Sequence, residues 1–124
     1  MMFKPQNEFP LLNKYREKFT ITDRTIFAYD GVIYTNNDLP EHLIIHEQTH
    51  FKQQKRYGLA DWVNAYLEDS EFRLKMEIEA YKNQLNSVKD RNQRNFLKIK
   101  CAEDLSSSLY GGIINYNSAF KLLK

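Results

Sequence analysis

His46-Glu47-Gln48-Thr49-His50 lies inside a longer helical pattern that runs from about Glu41 to Tyr57. In a helix, His46 and His50 project from the same face (i, i+4) and can bind one zinc ion. Glu47, one step round, then lies beside the metal, where a general base would sit. The chain has three histidines and places two of them here. The stretch predicts a hydrolytic zinc site carried on a helix.

The flanking residues agree with a helix. Asp38 followed by Glu41 resembles a capping box, and Pro40 is tolerated in a first turn. Lys55 and Arg56 suit the C-terminal end of the helix dipole, and Gly58 suits the stop. Leu43, His46, Glu47, His50 and Gln54 follow the spacing of one buried stripe. Polar groups thus stand where Leu or Val would normally pack, with Ile44, Ile45 and Phe51 beside them. Buried imidazoles and a buried carboxylate are costly unless paired or coordinated, and one metal ion would satisfy all three.

Upstream, Arg24–Tyr29 and Val32–Thr35 are rich in β-branched and aromatic residues, with Asp30-Gly31 between them. That dipeptide is a two-residue hairpin signal, so a short β-hairpin is expected over 24–35. Downstream, Asp61 can cap a short helix bearing Trp62, Val63, Tyr66 and Leu67. Asp69 or Ser70 can start another, Glu71 to about Leu85. A further helix is expected over about 89–108, before Gly111-Gly112, and a last one over 117–123. The first twenty residues read as either strand or helix. The fold class is helix-rich α+β, one domain over 1–124 with a single β-hairpin ahead of the motif helix.

Composition narrows the function. The 124 residues are 27% charged and 42% hydrophobic, a globular mix. A net charge of +2 is too small to argue for nucleic acid or an anionic membrane surface. No apolar run is long enough to span a bilayer, and the N-terminus lacks the apolar stretch of a signal peptide. One cysteine, Cys101, excludes an internal disulfide and a multi-cysteine metal cage. It reads as a small apolar helix residue, and an intracellular, reducing setting fits best.

Catalytic zinc usually takes three protein ligands and a water. No histidine lies downstream of His50, so the third ligand must be a carboxylate. The helix Glu71–Leu85 offers Glu77 and Glu79. Leu74, Ile78, Tyr81 and Leu85 mark its apolar face, and Glu77 falls within it. Glu79 instead keeps company with Lys75, Lys82 and Asn83, a solvated face. Periodicity therefore selects Glu77. With that set, zinc would lower the pKa of its water, and Glu47 would take the proton and pass it to the leaving nitrogen. Tyr34, Tyr66, Tyr81, His42 and Arg73 are all candidate oxyanion donors, and the sequence does not rank them. His42, in the first turn, reads as exposed, and Arg73 as the partner of a nearby acid.

The pair His46-Glu47-x-x-His50 and Glu77-x-x-Ala80 resembles the gluzincin metallopeptidases, whose third ligand is a glutamate on a later helix. Tyr81 stands where many of them have Asp. A wider string is similar to a group of small metallopeptidase-like proteins of tailed phages and some bacteria: Gln54, Trp62, Tyr66, Phe72-Arg73-Leu74, Glu77, Ala80-Tyr81, Gln84 and Leu109-Tyr110-Gly111. The resemblance implies a compact gluzincin-like core, Zn2+, a peptide or protein substrate, and a place in a host cytoplasm or virion. It also implies a strand ahead of the motif helix along which an extended peptide lies, for which Val32–Thr35 is the candidate edge.

Two other functions stay open at this level. One is a non-catalytic virion or assembly component in which zinc braces two helices, with His42 as the only imidazole left for a fourth ligand. The other is nucleic-acid association through Lys89, Arg91, Arg94, Lys98 and Lys100. There, Phe96, Leu97 and Ile99 fit the core side of an amphipathic helix equally well, so the basic residues read as its solvated face.

Overall fold

The computed structural model describes residues 2–124. Three short strands form one sheet: β1 (Met2–Lys4), β2 (Phe27–Tyr29) and β3 (Val32–Tyr34). Among the described residues there are six α-helices, α1 (Leu12–Lys18), α2 (Glu41–Tyr57), α3 (Leu59–Glu68), α4 (Ser70–Asn86), α5 (Arg91–Leu105) and α6 (Tyr116–Leu122), and two 3-10 turns at Gln6–Glu8 and Ser108–Tyr110. The class is helix-rich α+β. No helix among the described residues is long and apolar enough to cross a membrane.

The hairpin forms as its turn residues require. Asp30 and Gly31 both have positive φ, 51° and 79°, the pattern of the tight turn that matches strand twist. The sheet order, however, is β1-β3-β2, with β1 parallel to β3 and β2 antiparallel to it. Val32–Tyr34 is therefore the central strand and not an edge, because the N-terminal residues supply a third strand that pairs with it. The edge beside the motif helix belongs to β2.

Helix starts depart from expectation in two places. Residue 40 is the N-cap of α2 and no side chain caps that end, so Asp38 and Glu41 form no capping box. Leu39 precedes a proline and is steered to extended backbone, which keeps the helix from starting earlier. Asp61 lies inside the first turn of α3, whose N-cap is Gly58. Gly58, at φ 88° and ψ 133°, joins α2 to α3 in a single residue, and Trp62 N–H reaches its carbonyl at 2.8 Å. Asp69 does cap α4, accepting from the N–H groups of Glu71 and Phe72.

Two apolar clusters flank the seam between α2 and α4. One is aromatic, with Phe9, Tyr15, Phe19, Phe27, Trp62 and Tyr66 at its centre. The other gathers Tyr81, Leu85, Cys101, Ala102, Leu105, Ala119 and Leu123. Cys101 is buried there, while Phe96 and Ile99 stand exposed, so α5 turns only part of its apolar side to the core. Its basic side is partly engaged: Lys98 lies over the Phe120 ring, and Lys100 pairs with Asp104.

Gly58→Ala is expected to cost about 1–3 kcal/mol. An added Cβ would meet nothing nearer than 3.8 Å, so the loss comes from backbone strain alone. Urea unfolding measures it, and an unchanged midpoint would contradict the one-residue joint.

Candidate metal centre

Helix α2 brings His46, Glu47 and His50 to the seam, and α4 brings Glu77 to meet them. All four are buried, between 2% and 5% exposed. Glu77 Oε1 lies 3.1 Å from His46 Nε2, and Glu77 Oε2 lies 3.2 Å from His50 Nε2. One carboxylate thus faces two imidazole nitrogens from the neighbouring helix. Atoms bound about 2.0–2.1 Å from a tetrahedral ion lie about 3.3 Å apart, close to both distances. His46, His50 and Glu77 form the one group of metal-ligating side chains among the described residues that could hold an ion. Glu79 is not part of it. Its carboxylate sits at the surface with Arg56, 3.0 Å away.

Each imidazole is held by a further contact at its other ring nitrogen. His46 Nδ1–H donates to Gln84 Oε1 and His50 Nδ1–H to Gln53 Oε1, both at 2.9 Å. Tyr66 O–H donates to Glu77 Oε2 at 2.6 Å. The Tyr81 ring packs edge-on against His46, with centroids 4.4 Å apart, and Trp62 lies beside His50 at 5.6 Å. Gln53 escapes a reading by periodicity alone. Its signal is an amide three residues after a motif histidine on a buried helix, where an apolar side chain would otherwise stand.

Electrostatics follow from burial and pairing. Burial pushes the Glu77 carboxyl up, but His50 and His46 outweigh it and hold it well below the usual range. Burial would lower His50, but the charge and hydrogen bond of Glu77 raise it to about 9. For Glu47, burial and Glu77 raise the pKa while the two imidazoles oppose them, and the net shift is upward. Its Oε2 is 4.0 Å from His46 Nε2.

A cavity of roughly 600 Å3 opens onto these side chains. Phe27, Ala28, Trp62, Tyr66, Tyr81 and Tyr110 form much of its wall near the centre. Gln54 joins α2 to β2 like an extra strand: Asp30 N–H donates to its Oε1 at 3.2 Å, and its Nε2 donates to the Ala28 carbonyl at 2.8 Å. Tyr81 and Tyr110 share a hydroxyl hydrogen bond of 2.7 Å. Arg73 pairs with no acid among the described residues. It donates to the carbonyls of Tyr66, Leu67 and Tyr110 and lies over the Phe19 ring, tying the cavity wall to α4. His42 is half-buried, not exposed, and its Nδ1 accepts from Gln84 Nε2 at 2.9 Å. Tyr34 is buried in the aromatic cluster, away from this wall.

Comparison with protein-family models, with curated proteins and with solved structures finds no match. The chemistry of the centre therefore has to be read from its own side chains. Two histidines and a glutamate form a borderline-soft donor set, and this suits a divalent transition ion.

A pH test follows from His50. Its folded-state pKa lies above the ordinary 6.5, so its stabilising pair with Glu77 is complete below that value. The contribution is lost as pH rises through about 9. In chelator, the melting temperature is expected to fall across this window. With a bound divalent ion in place of the Nε2 proton, that fall should disappear. A chelated protein with a flat profile over this range would contradict the pairing.

Proposed function

We propose that the chain is a zinc-dependent peptidase in which His46, His50 and Glu77 hold the ion and Glu47 is the general base. The observation that carries this reading is the Glu77 carboxylate within 3.2 Å of both imidazole Nε2 atoms, with Glu47 beside them on the same cavity. When bound there, a zinc ion supplies Lewis acidity and an activated water. The remaining work falls to the chain. Glu47, buried and with its pKa raised, accepts a proton at its carboxylate and returns it to the leaving amine. The gluzincin resemblance of the motif and of Glu77-x-x-Ala80 points to the same class.

The substrate lies along β2. The Tyr29–Val32 pair closes the hairpin, so the polar groups of Ala28 turn away from β3. Gln54 takes the Ala28 carbonyl. An extended peptide therefore pairs with the edge on the N-terminal side of that carbonyl, where Ile26 and Phe27 line the cavity. Trp62 Nε1–H is the one buried side-chain polar atom among the described residues without a partner, and its ring belongs to the same wall.

A closed structural zinc site would need a fourth protein ligand. His42, the remaining imidazole, is engaged by Gln84 instead. This favours the catalytic reading over a zinc brace.

Glu47→Gln is expected to retain zinc and to lose about 100- to 10,000-fold in peptide cleavage. Glu77→Ala is expected to lose the metal, and Glu79→Ala to keep it. Metal analysis and a peptide-library cleavage assay read both. Undiminished cleavage by Glu47→Gln would overturn the mechanism, and a Glu79→Ala protein that loses the ion while Glu77→Ala keeps it would move the ligand.

A further inference from the structure

We propose that Gln53 and Gln84 are positioning residues of the centre, two amide clamps that hold its histidines in the tautomer leaving Nε2 free for the ion. This rests on the metal reading above and deepens it. Both side chains are almost fully buried, and a buried amide is costly unless its donors and acceptor are satisfied. For Gln53 the partners dictate which way it points; Gln84 lies between two imidazoles, and its orientation is the one that leaves His46 Nε2 free for an ion.

Gln53 Nε2 donates to the carbonyl of Met76 at 3.0 Å and to Glu79 Oε1 at 2.7 Å. Both of these are acceptors only, so the amide nitrogen is committed to them. Oε1 is left for His50, which must donate from Nδ1. The Met76 carbonyl belongs to the peptide bond that leads into Glu77. Gln53 thus references the imidazole on α2 to the same peptide of α4 that carries the carboxylate ligand. Glu79, at the surface, acts here by holding the amide and not by reaching the ion.

Gln84 crosses the seam in the other direction. Its Oε1 accepts from His46 Nδ1–H, and its Nε2 donates to His42 Nδ1. Flipping this amide would set an N–H against His46 Nδ1. That nitrogen would then have to accept, the proton would move to Nε2, and the ligating lone pair would be lost. His42, at the far end, holds the amide this way round while its own proton sits on Nε2 and its Nδ1 accepts. Its place one turn before the motif therefore has a use without contact to the ion.

Both acceptors are neutral amides, which leaves Glu77 and Glu47 as the carboxylates at the centre. Gln84→Glu preserves an acceptor for His46 Nδ1–H, and His42 meets the new carboxylate by carrying its proton on Nδ1. Gln53→Glu does not preserve its environment, since it removes the donor to Met76 and sets a second carboxylate against Glu79.

The test titrates Zn2+ against a competing chelator and follows Co2+ absorption as a second readout, with chelator-state melting as the folding control. Gln53→Leu and Gln84→Leu are expected to weaken Zn2+ binding about 10- to 100-fold. Gln53→Asn and Gln84→Asn keep the polarity but withdraw the amide by one methylene, and should weaken it likewise should the Leu variants fail to fold. Gln84→Glu should hold affinity within a few-fold of the parent, and Gln53→Glu should not. Folded Leu or Asn variants that bind Zn2+ like the parent overturn the clamps alone. So does a Gln84→Glu protein as weak as Gln84→Leu. A parent that binds neither ion overturns the centre itself, and the clamps with it.

Discussion

The Glu77 carboxylate, shared between His46 Nε2 and His50 Nε2, is the contact on which the arrangement of the two long helices depends. It buries an acid and two imidazoles where apolar packing would be cheaper, between an aromatic cluster and a second apolar cluster. Such a group persists only when every polar atom has a partner. Here Tyr66, Gln53 and Gln84 complete the shell. Removing one member of a buried charged group typically costs about 3–5 kcal/mol, because the others are left uncompensated. The helices are therefore held in register by the polar seam as well as by the apolar residues around it.

The sheet and the connections serve this seam. Gly58 turns α2 directly into α3, which places Trp62 and Tyr66 against His50. Gln54 fastens β2 to the motif helix through main-chain groups, so the strand edge and the centre share one rigid element. Arg73 gathers the carbonyls at the end of α3 and at Tyr110, which keeps Tyr110 beside Tyr81 on the cavity wall. The cavity is thus bounded by residues from distant parts of the chain, and α2 and α4 carry the side chains suited to chemistry.

Local signals were legible in the sequence wherever one segment decides the outcome. The Asp30-Gly31 turn, the stop at Gly58, the Asp69 cap and the two faces of α4 all follow from short-range physics. Periodicity alone separates buried Glu77 from surface Glu79. Long-range pairing was not legible. Nothing in residues 2–4 announces that they pair beside β3, and that pairing makes Val32–Tyr34 central and leaves the edge to β2. Arg73 and His42 depart from expectation for a related reason: their partners are backbone carbonyls and an amide from other elements. Such partners leave no periodic trace.

The most direct test of the centre is zinc-edge X-ray absorption on the purified protein carrying one equivalent of Zn2+. Two imidazole nitrogens and a carboxylate oxygen at about 2.0–2.2 Å, with no sulfur, are the expected first shell. In Glu77→Gln that shell should be lost. A protein that takes up no zinc, or a shell that survives the loss of Glu77 unchanged, would contradict the assignment of His46, His50 and Glu77 as one metal site.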